Sequence, residues 1–456
     1  MTTFTPQQSR LISAIAAGGS VAARAVAGSG KSTTLVEGLR QSSRPGLALA
    51  VNKKNAEDLK LKLGAASSVE AKTLNGLGHK VWSDHLRKRL AVDSSKTSSI
   101  VKEMALSLET DEWTALMKMV SIAKANVITP GLLGKPAPDY DLWRGSCQLV
   151  DIPSDLFDSL ANHATEVLRR SVKQAWEGKI DFDDQLYMPV LFDSRFPSPS
   201  LVAVDEAQDL SPLQHEMVAR LRAKQLIVVG DPAQAIYGFR GASESSYAEL
   251  VERFALEELP LTVSFRCPLV VGELARDYVP DFSCREGAPA GTLLRPAEPT
   301  LEPGAIICRF NAPLIRLAFR AIRRAIPINY LGRDFIAGLR AIHKKAPTPA
   351  ALERWLEARL KEAKTSGAKS RAKDQHDSLI ALHEGGIPMD EALSRLSAPS
   401  SSPIVLSTVH KAKGMEWSTT TFLGYDPHIE GGQERNINYV GVTRAMSELR
   451  LIEERR

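Results

Sequence analysis

Cysteine is scarce in this sequence, and its placement excludes two kinds of site. The 456 residues contain four cysteines, and no two of them form a CxxC pair. Zinc sites and disulfide frameworks depend on closely or regularly spaced cysteines, so we expect neither. Scattered free thiols suit a reducing compartment, and the sequence therefore predicts a cytoplasmic protein.

Long apolar runs and an export signal are lacking as well. No stretch is apolar over the length that a membrane-spanning helix requires. The first residues, Met-Thr-Thr-Phe-Thr-Pro-Gln-Gln, have neither the basic nor the apolar region of a signal peptide. We therefore expect neither secretion nor a membrane partner.

The composition is typical of a globular protein with more than one domain. Hydrophobic residues make up 43% and charged residues 24% of a chain that is too long for one ordinary core. The net charge of +5 is compatible with a polyanionic partner, but solubility alone explains it equally well.

Short apolar runs alternate with helical stretches in two separate regions. The first region contains the runs Val21–Val26, Leu47–Val51, Leu201–Val204 and Leu226–Val229. The second region contains Ala305–Cys308, Ile328–Leu331, Ile404–Ser407 and Thr420–Leu423. Such runs are typical of buried parallel strands, so we predict an α/β protein with two parallel-sheet lobes.

Two mainly helical segments interrupt this pattern and are predicted to be insertions. In the second segment, Thr348 is expected to cap a helix that begins at Pro349. The predicted boundaries are a first lobe of 1–82 and 179–263 with insertion 83–178, and a second lobe of 264–335 and 403–456 with insertion 336–402.

A phosphate-binding loop is predicted where the first apolar run ends. The segment Ala25-Val-Ala-Gly-Ser-Gly-Lys-Ser32 follows a strand and opens a helix, which disfavours a chance glycine-rich turn. Its backbone N–H groups can surround phosphates, Lys31 can reach the terminal phosphates, and the Ser32 hydroxyl can bind Mg²⁺. We predict ATP and Mg²⁺ as the ligands, held by the loop residues Gly28, Ser29, Gly30, Lys31, Ser32 and Thr33.

A pair of carboxylates follows the run Leu201–Val204. Side chains at the carboxyl end of a parallel strand face the crevice where ligands bind such sheets. Asp205 is therefore expected to hold Mg²⁺, and Glu206 to orient and deprotonate the attacking water. Without the phosphate-binding loop, a surface acidic pair would be the better interpretation.

With these two motifs, the sequence resembles the superfamily 1 DNA helicases of the UvrD/Rep/PcrA type. The segments that resemble family motifs, in the family's order, are Thr5–Gln8, Ala27–Thr33, Val204–Asp209, Val229–Ala242, Ser264–Pro268, Thr408–Trp417 and Tyr439–Ala445. The resemblance implies an α/β fold of the P-loop NTPase class, with two RecA-like lobes that each carry a mainly helical insertion. It also implies that ATP binds between the lobes and that their closure and reopening move the protein along DNA.

The resemblance assigns further residues to the nucleotide. Gln8 would recognise adenine, Phe265 would pack on its face, and Glu416 would bind the ribose. Gln234 would sense the γ-phosphate. The implied arginine fingers are Arg266 and Arg444, although each taken alone would be read as half of a surface ion pair.

The resemblance also implies a single-stranded DNA track. Tyr237, Phe239 and Arg240 would stack on bases, because aromatic and guanidinium faces stack on any base, although core packing is the alternative for the two aromatics. The residues implied to contact phosphates are Thr73, Thr408, His410 and Lys413. A structural role for His410 remains an equal alternative.

The function implied is ATP-dependent 3′–5′ translocation and unwinding by a monomer on single-stranded DNA and junctions with duplex. Three alternatives stay open: a translocase that mainly strips proteins from DNA, a non-catalytic DNA-binding scaffold, and RNA as the track. Nothing in the sequence names a protein partner.

The sequence departs from the family at several positions. Asn75 stands where relatives often have histidine, and no aromatic surrounds Val51 to stack on a base. The insertion 336–402 is much shorter than the corresponding domain of large relatives, so the sequence supports the prediction of ATP hydrolysis better than the prediction of strand separation. Asp183 and Asp184 are expected to cap a helix and not to catalyse. No nuclease domain is expected after Arg444, since little sequence follows it.

A basic stretch in the second insertion has two interpretations. Its cations could contact DNA, or they could belong to a solvated helix that also carries glutamates, which is the favoured interpretation. The cations are Lys344, Lys345, Lys369, Arg371 and Lys373.

Overall fold

The computed structural model divides the chain into two compact units. It describes residues 4–65, 67–148, 152, 154–236, 245–362, 366–429 and 431–453. The first unit comprises Met1–Ala25 and Gly30–Leu261, and the second comprises Val26–Ser29 and Thr262–Arg456. Among the described residues, no helix combines the length and the apolar character of a membrane span.

The first unit alternates strands and helices along most of its length. Its elements are α1 Pro6–Ala17, β1 Val21–Ala25, α2 Lys31–Gln41, β2 Gly46–Ala50, α3 Lys53–Leu63, β3 Val69–Thr73, α4 Leu74–Leu86, β4 Ala91–Val92, α5 Lys96–Glu103, α6 Thr110–Ala125, α7 Tyr140–Gln148, α8 Ser154–Trp176, β5 Lys179–Ile180, α9 Asp184–Leu191, β6 Leu201–Val204, α10 Pro212–Arg220, β7 Gln225–Gly230, α11 Ser246–Arg253 and β8 Glu257–Leu261. Two short 3-10 turns, Ala207–Asp209 and Pro232–Gln234, follow β6 and β7.

The second unit repeats this style. Its elements are β9 Val263–Ser264, α12 Leu269–Ala275, β10 Ser283–Cys284, β11 Thr292–Leu294, β12 Gly304–Cys308, α13 Asn311–Arg323, β13 Asn329–Tyr330, α14 Arg333–Lys345, α15 Pro349–Glu362, α16 Ser366–Glu384, α17 Met389–Ser397, β14 Ile404–Thr408, α18 Val409–Ala412, β15 Trp417–Tyr425, α19 Gly432–Val442 and β16 Ala445–Glu453.

Each unit is built on a six-stranded parallel sheet. The order is β3-β2-β6-β7-β1-β8 in the first and β11-β16-β15-β12-β14-β13 in the second. All strand pairs within both sheets run parallel. The predicted α/β class and all the predicted strands are confirmed. The strands β3, β8, β11 and β16 were not predicted. Charged residues interrupt the apolar pattern of β3, β8 and β16, and β11 has only three residues, too few to show a pattern.

The helical insertion of the first unit shares one apolar core with the α/β lobe. Side chains of the insertion, such as Leu116 and Phe157, belong to the same buried cluster as Leu49 and Val202 of the sheet. Because one core runs through both parts, the predicted boundaries of insertion 83–178 stay a prediction.

Four buried charges join this insertion to the lobe. Lys96 of α5 lies 2.5 Å from Asp184 of α9, and Lys124 of α6 lies 2.8 Å from the same carboxylate. Lys124 also contacts Asp181 at 2.6 Å. Burial works to raise the pKa of Asp181, but Lys124 outweighs it and leaves that pKa well below its usual range. The two lysines and two aspartates therefore compensate one another in a largely buried site.

The expectation that Asp183 and Asp184 cap a helix is wrong for Asp183 but not for Asp184, whose Oδ2 accepts from the Asp181 N–H at 3.0 Å. Asp183 occupies the N-cap position of α9, but its side chain accepts no capping hydrogen bond. Instead, Asp181 Oδ1 accepts from the Asp184 N–H at 2.8 Å, and Asp183 accepts from the Ser121 hydroxyl at 2.9 Å. Sequence spacing did not reveal the lysines, which lie far away in the chain.

The second insertion also packs on its own lobe. Leu339, Leu379 and Leu393 of the insertion belong to one buried cluster with Ile306 and Leu406 of the sheet. Thr348 caps the helix that Pro349 begins, as predicted, through a bond from the Ala351 N–H at 3.2 Å.

A carboxylate of this insertion covers the start of α13. Asp374 of α16 accepts from the Ala312 N–H at 2.8 Å and from the Asn311 side chain at 2.9 Å. It thereby satisfies donors that a helix start leaves unpaired. The five predicted basic residues of this insertion are all exposed, which both interpretations allow, so their role stays a prediction.

We expect Asp184→Asn to destabilise the first unit by about 3–5 kcal/mol, because it leaves two buried lysines with too little negative charge. Urea unfolding followed by tryptophan fluorescence measures this, since Trp82 and Trp143 are buried in the same core. The matched control is Asp183→Asn, an exposed neighbour that should have little effect. Equal midpoints for the Asp184→Asn variant and the wild type would contradict the structural role of the cluster.

Candidate functional site

The phosphate-binding loop joins β1 to α2 through two left-handed glycines. Gly28 has φ 74° and Gly30 has φ 76°, a region that side chains with a Cβ rarely adopt. Gly30 precedes the first residue of α2 without capping it through a side chain. The N–H groups at the start of this 11-residue helix can therefore bind an anion. Of the other predicted loop residues, Ser29 is buried and Thr33 is exposed.

Lys31 is held among carboxylates. Its Nζ lies 3.3 Å from Glu206 Oε2, and its side chain is 12% exposed. Burial works to lower the pKa of Lys31, but the carboxylates of Glu206, Asp231 and Asp205 outweigh it and raise that pKa. The lysine is therefore cationic before any phosphate arrives, as the predicted role requires.

Ser32 and Asp205 form the predicted pair for a metal ion. The Ser32 hydroxyl donates to Asp205 Oδ2 at 3.1 Å. Burial and the neighbouring Glu206 raise the pKa of Asp205 to about 6, although Lys31 opposes this. A hydroxyl and a carboxylate so close together fit the oxygen ligands that Mg²⁺ prefers.

A magnesium ion at this pair needs no larger protein cluster. Within the described ranges, no group of three or more His, Cys, Asp or Glu could hold a metal ion. Magnesium is commonly bound by one or two protein ligands together with waters and substrate phosphates. The donor set of Ser32 and Asp205 is of that kind.

Glu206 is fixed by its own backbone and by a neighbour. Its φ of 55° is unusual for a residue with a side chain, and such strain is often found at functional sites. Its carboxylate accepts from Gln208 Nε2 at 2.6 Å as well as from Lys31. The proposed base is therefore oriented on two sides.

Two residues that sequence reasoning missed extend this network. Gln208 Oε1 accepts from the Asp231 N–H at 2.9 Å, and Asp231 accepts from Gln234 Nε2 at 2.5 Å. A hydrogen-bonded chain therefore runs from Glu206 to Gln234. Both missed residues lie inside the motif segments Val204–Asp209 and Val229–Ala242. The available signal was a polar side chain beyond a strand end, directly after β7 for Asp231 and in the turn that follows β6 for Gln208.

Gln8 lies close to the loop. Thr5 and Gln8 form a reciprocal capping box at the start of α1, with the Thr5 N–H donating to Gln8 Oε1 at 3.0 Å. A Cβ atom at Gly30 would lie 3.0 Å from Gln8 Nε2. The structure thus brings Gln8 to the loop, and its contact with adenine stays a prediction.

The arginines predicted as fingers lie close together in the second unit. Arg266 donates through Nε to Glu416 at 2.6 Å and through Nη1 to the Thr443 carbonyl at 3.3 Å. The buried Arg444 donates to the Thr443 hydroxyl at 3.1 Å and to the Met415 carbonyl at 3.0 Å. Their action on the nucleotide stays a prediction, as does that of the exposed Phe265.

The predicted DNA-contact residues are placed only in part. Thr73 caps α4 by accepting from the Gly76 N–H at 2.9 Å. Thr408 occupies the N-cap position of α18, His410 lies within that helix, and Lys413 follows it. Both alternatives for His410 remain open. Tyr237, Phe239 and Arg240 lie outside the described residues.

An exposed aromatic lies beside Asn75. Phe182 is 58% exposed, although it is a large apolar side chain. The Asn75 side chain donates to the Phe182 carbonyl at 2.8 Å and to Gln185 Oε1 at 3.0 Å. Sequence reasoning missed Phe182. The available signal was an aromatic residue that lies between aspartates in the sequence.

Comparison with known families decides the relationship. The UvrD/REP helicase N-terminal domain matches residues 4–255, and the UvrD-like helicase C-terminal domain matches residues 403–452. The chain belongs to the UvrD/REP helicase family. The predicted family resemblance is confirmed.

Curated relatives match this chain over parts of their own length. The F-box DNA helicase protein 1 of Schizosaccharomyces pombe is 25% identical over 346 residues, which cover 62% of this chain and 38% of that protein. The ATP-dependent DNA helicase srs2 of the same organism is 27% identical over 260 residues, covering 50% of this chain and 28% of that protein. The chain thus spans well under half of either relative.

A solved structure titled as a complex of the arterivirus nonstructural protein 10 helicase with DNA is similar at a TM-score of 0.39 and 12% identity. The likeness covers 98% of this chain and 63% of that one.

Proposed function

We propose that this UvrD/REP family chain is a DNA helicase motor that hydrolyses ATP while moving along single-stranded DNA. The observation that carries the proposal is one partly buried site in which Lys31 contacts Glu206 and Ser32 contacts Asp205. A cation for phosphates, a metal-ligand pair and an oriented carboxylate are what phosphoryl transfer to water requires.

Lys31 and Glu206 exchange partners in this proposal. The terminal phosphates of ATP offer Lys31 more negative charge than one carboxylate does, so the lysine moves its contact to them. Glu206 then remains bound to Gln208 and is available to orient the attacking water and take its proton. Magnesium held by Ser32 and Asp205 would neutralise the charge that develops on the phosphates.

A chain of hydrogen bonds connects Gln234, the proposed sensor of the γ-phosphate, to Glu206, the proposed base. Gln234 bonds Asp231, which bonds Gln208, which orients Glu206. A phosphate that draws Gln234 away from Asp231 would therefore alter the support of the base. We retain Arg266 and Arg444 as the proposed arginine fingers on the strength of the motif resemblance.

The first test is ATP hydrolysis with and without single-stranded DNA. We expect DNA to stimulate turnover and Glu206→Gln to lower kcat by about 10²–10⁴-fold, since that variant cannot take the proton. Glu216→Gln is the control, because Glu216 pairs with Arg220 and Arg253 outside the site. Absence of turnover in wild-type protein, with and without DNA, would contradict the motor and leave the scaffold alternative.

Phe182 is proposed as part of the DNA track. It is exposed beside Asn75, which follows the predicted phosphate contact Thr73 at the carboxyl end of β3. Base–aromatic stacking is worth about 1–3 kcal/mol and does not depend on base identity. Phe182 could therefore supply the stacking face that is lacking around Val51.

We expect Phe182→Ala to weaken binding of an oligothymidine by about 5- to 150-fold, as the loss of one stacked base implies. Fluorescence anisotropy with a labelled oligonucleotide measures this. Phe182→Tyr, which keeps an aromatic face, should bind as wild type does. Unchanged affinity of the alanine variant would exclude Phe182 from the track.

Movement is proposed to be 3′–5′ with unwinding, as the family resemblance implies. Strand displacement on 3′-tailed and 5′-tailed duplexes tests both points, and we expect activity on the 3′-tailed duplex. Preference for the 5′ tail would overturn the polarity. DNA-stimulated hydrolysis without displacement on either duplex would favour the protein-stripping alternative. A monomeric state, a cytoplasmic location and DNA in preference to RNA stay predictions.

A further inference from the structure

Three motif segments of the second unit meet at Arg266. The segment after β9 supplies the arginine, the segment before β15 supplies Glu416, and the end of α19 supplies Thr443. Arg266 Nε donates to Glu416 Oε2 at 2.6 Å, and Nη1 donates to the Thr443 carbonyl at 3.3 Å. The guanidinium is therefore fixed at two of its three nitrogens.

The third nitrogen of Arg266 is left for another acceptor. In the part of the chain that the structure describes, no protein group accepts a hydrogen bond from Arg266 Nη2. The side chain is 16% exposed, so it is largely withdrawn from water but not sealed. A guanidinium that is held through Nε and Nη1 is preorganised to donate through Nη2, because its fork is planar and rigid.

Thr443 links this arginine to the second one. Its carbonyl accepts from Arg266, while its hydroxyl accepts from Arg444 Nη2 at 3.1 Å and donates to the Tyr439 carbonyl at 2.7 Å. Two guanidinium groups thus share one buried residue. The Glu416 carboxylate offsets part of the repulsion between their positive charges.

We propose that Glu416 is a positioning residue that orients Arg266 for phosphoryl transfer, in addition to the ribose contact that the family resemblance implies. The proposal rests on the proposed ATPase function. Glu416 is 48% exposed, and an ion pair with so exposed a carboxylate contributes little to folding stability, so the effect of Glu416 should be found in catalysis. An interaction that orients a group for the transition state is expected to change kcat more than KM.

The test is steady-state hydrolysis at saturating single-stranded DNA by Glu416→Ala and Glu416→Gln. We expect the alanine variant to lose roughly tenfold or more in kcat, as removal of a charge-assisted hydrogen bond implies. The glutamine variant should lose less, because its amide oxygen can still accept from Nε. Glu434→Ala is the matched control: Glu434 is also 48% exposed and pairs with an arginine, Arg309, at 3.0 Å in the same unit.

Two further measurements separate positioning from ribose binding. With 2′,3′-dideoxy-ATP as substrate, the kcat loss of Glu416→Ala should persist, because Arg266 does not depend on the ribose hydroxyls. A lysine at position 266 has no guanidinium and therefore no Nε–H group that Glu416 could orient. In an Arg266→Lys background, Glu416→Ala should therefore cause no further loss of kcat.

The inference is overturned by unchanged kcat in Glu416→Ala, by a loss that vanishes with the dideoxy substrate, or by full additivity with Arg266→Lys. These outcomes differ from failure of the proposed function itself. If wild-type protein does not hydrolyse ATP, the proposed function fails, whereas normal hydrolysis by both wild type and Glu416→Ala contradicts only the positioning role.

Discussion

The candidate site depends on one constraint: a lysine must stay charged in a largely buried place before its phosphates arrive. The parallel sheet meets this constraint, because β6, β7 and β1 are neighbours and end at the same edge. Beyond these ends lie Asp205 and Glu206, Asp231, and the loop that leads to Lys31. The carboxylates hold Lys31 cationic, and two of them are also the proposed metal ligand and the proposed base. The carboxylates that keep Lys31 charged are therefore also groups proposed to take part in the chemistry.

Buried lysines are also paired with carboxylates between the first lobe and its insertion, but with a different role. Lys96 and Lys124 are also buried against aspartates, but they are sealed inside a continuous apolar core. No ligand can exchange with Asp184 there, so these charges only fix how the insertion joins the lobe. The difference from Lys31 is access, since Lys31 stands at the start of a helix where an anion can enter.

In the second unit, two arginine side chains are held by hydrogen bonds to the same residue. Arg266 and Arg444 both bond Thr443, and the Glu416 carboxylate also accepts from Arg266. A second carboxylate, Asp374, fastens the reduced insertion to the start of α13. Together with the common core, this contact makes the insertion a packed part of its lobe.

Local patterns in the sequence determined most of the sheet strands, the phosphate-binding loop, the Thr348 cap and the family, because each depends on residues close together in the chain. Only the tertiary structure decided which distant groups meet. It paired Lys96 with Asp184, gave the capping role to Asp181, inserted β16 into the sheet and placed Phe182 beside Asn75. Such contacts follow from how the sheet brings remote segments together, and no spacing in the sequence encodes them. For the same reason, the roles of Gln8, Phe265 and the arginines could be named from motifs, but only the fold shows which neighbours hold Gln8 and Arg266 in place.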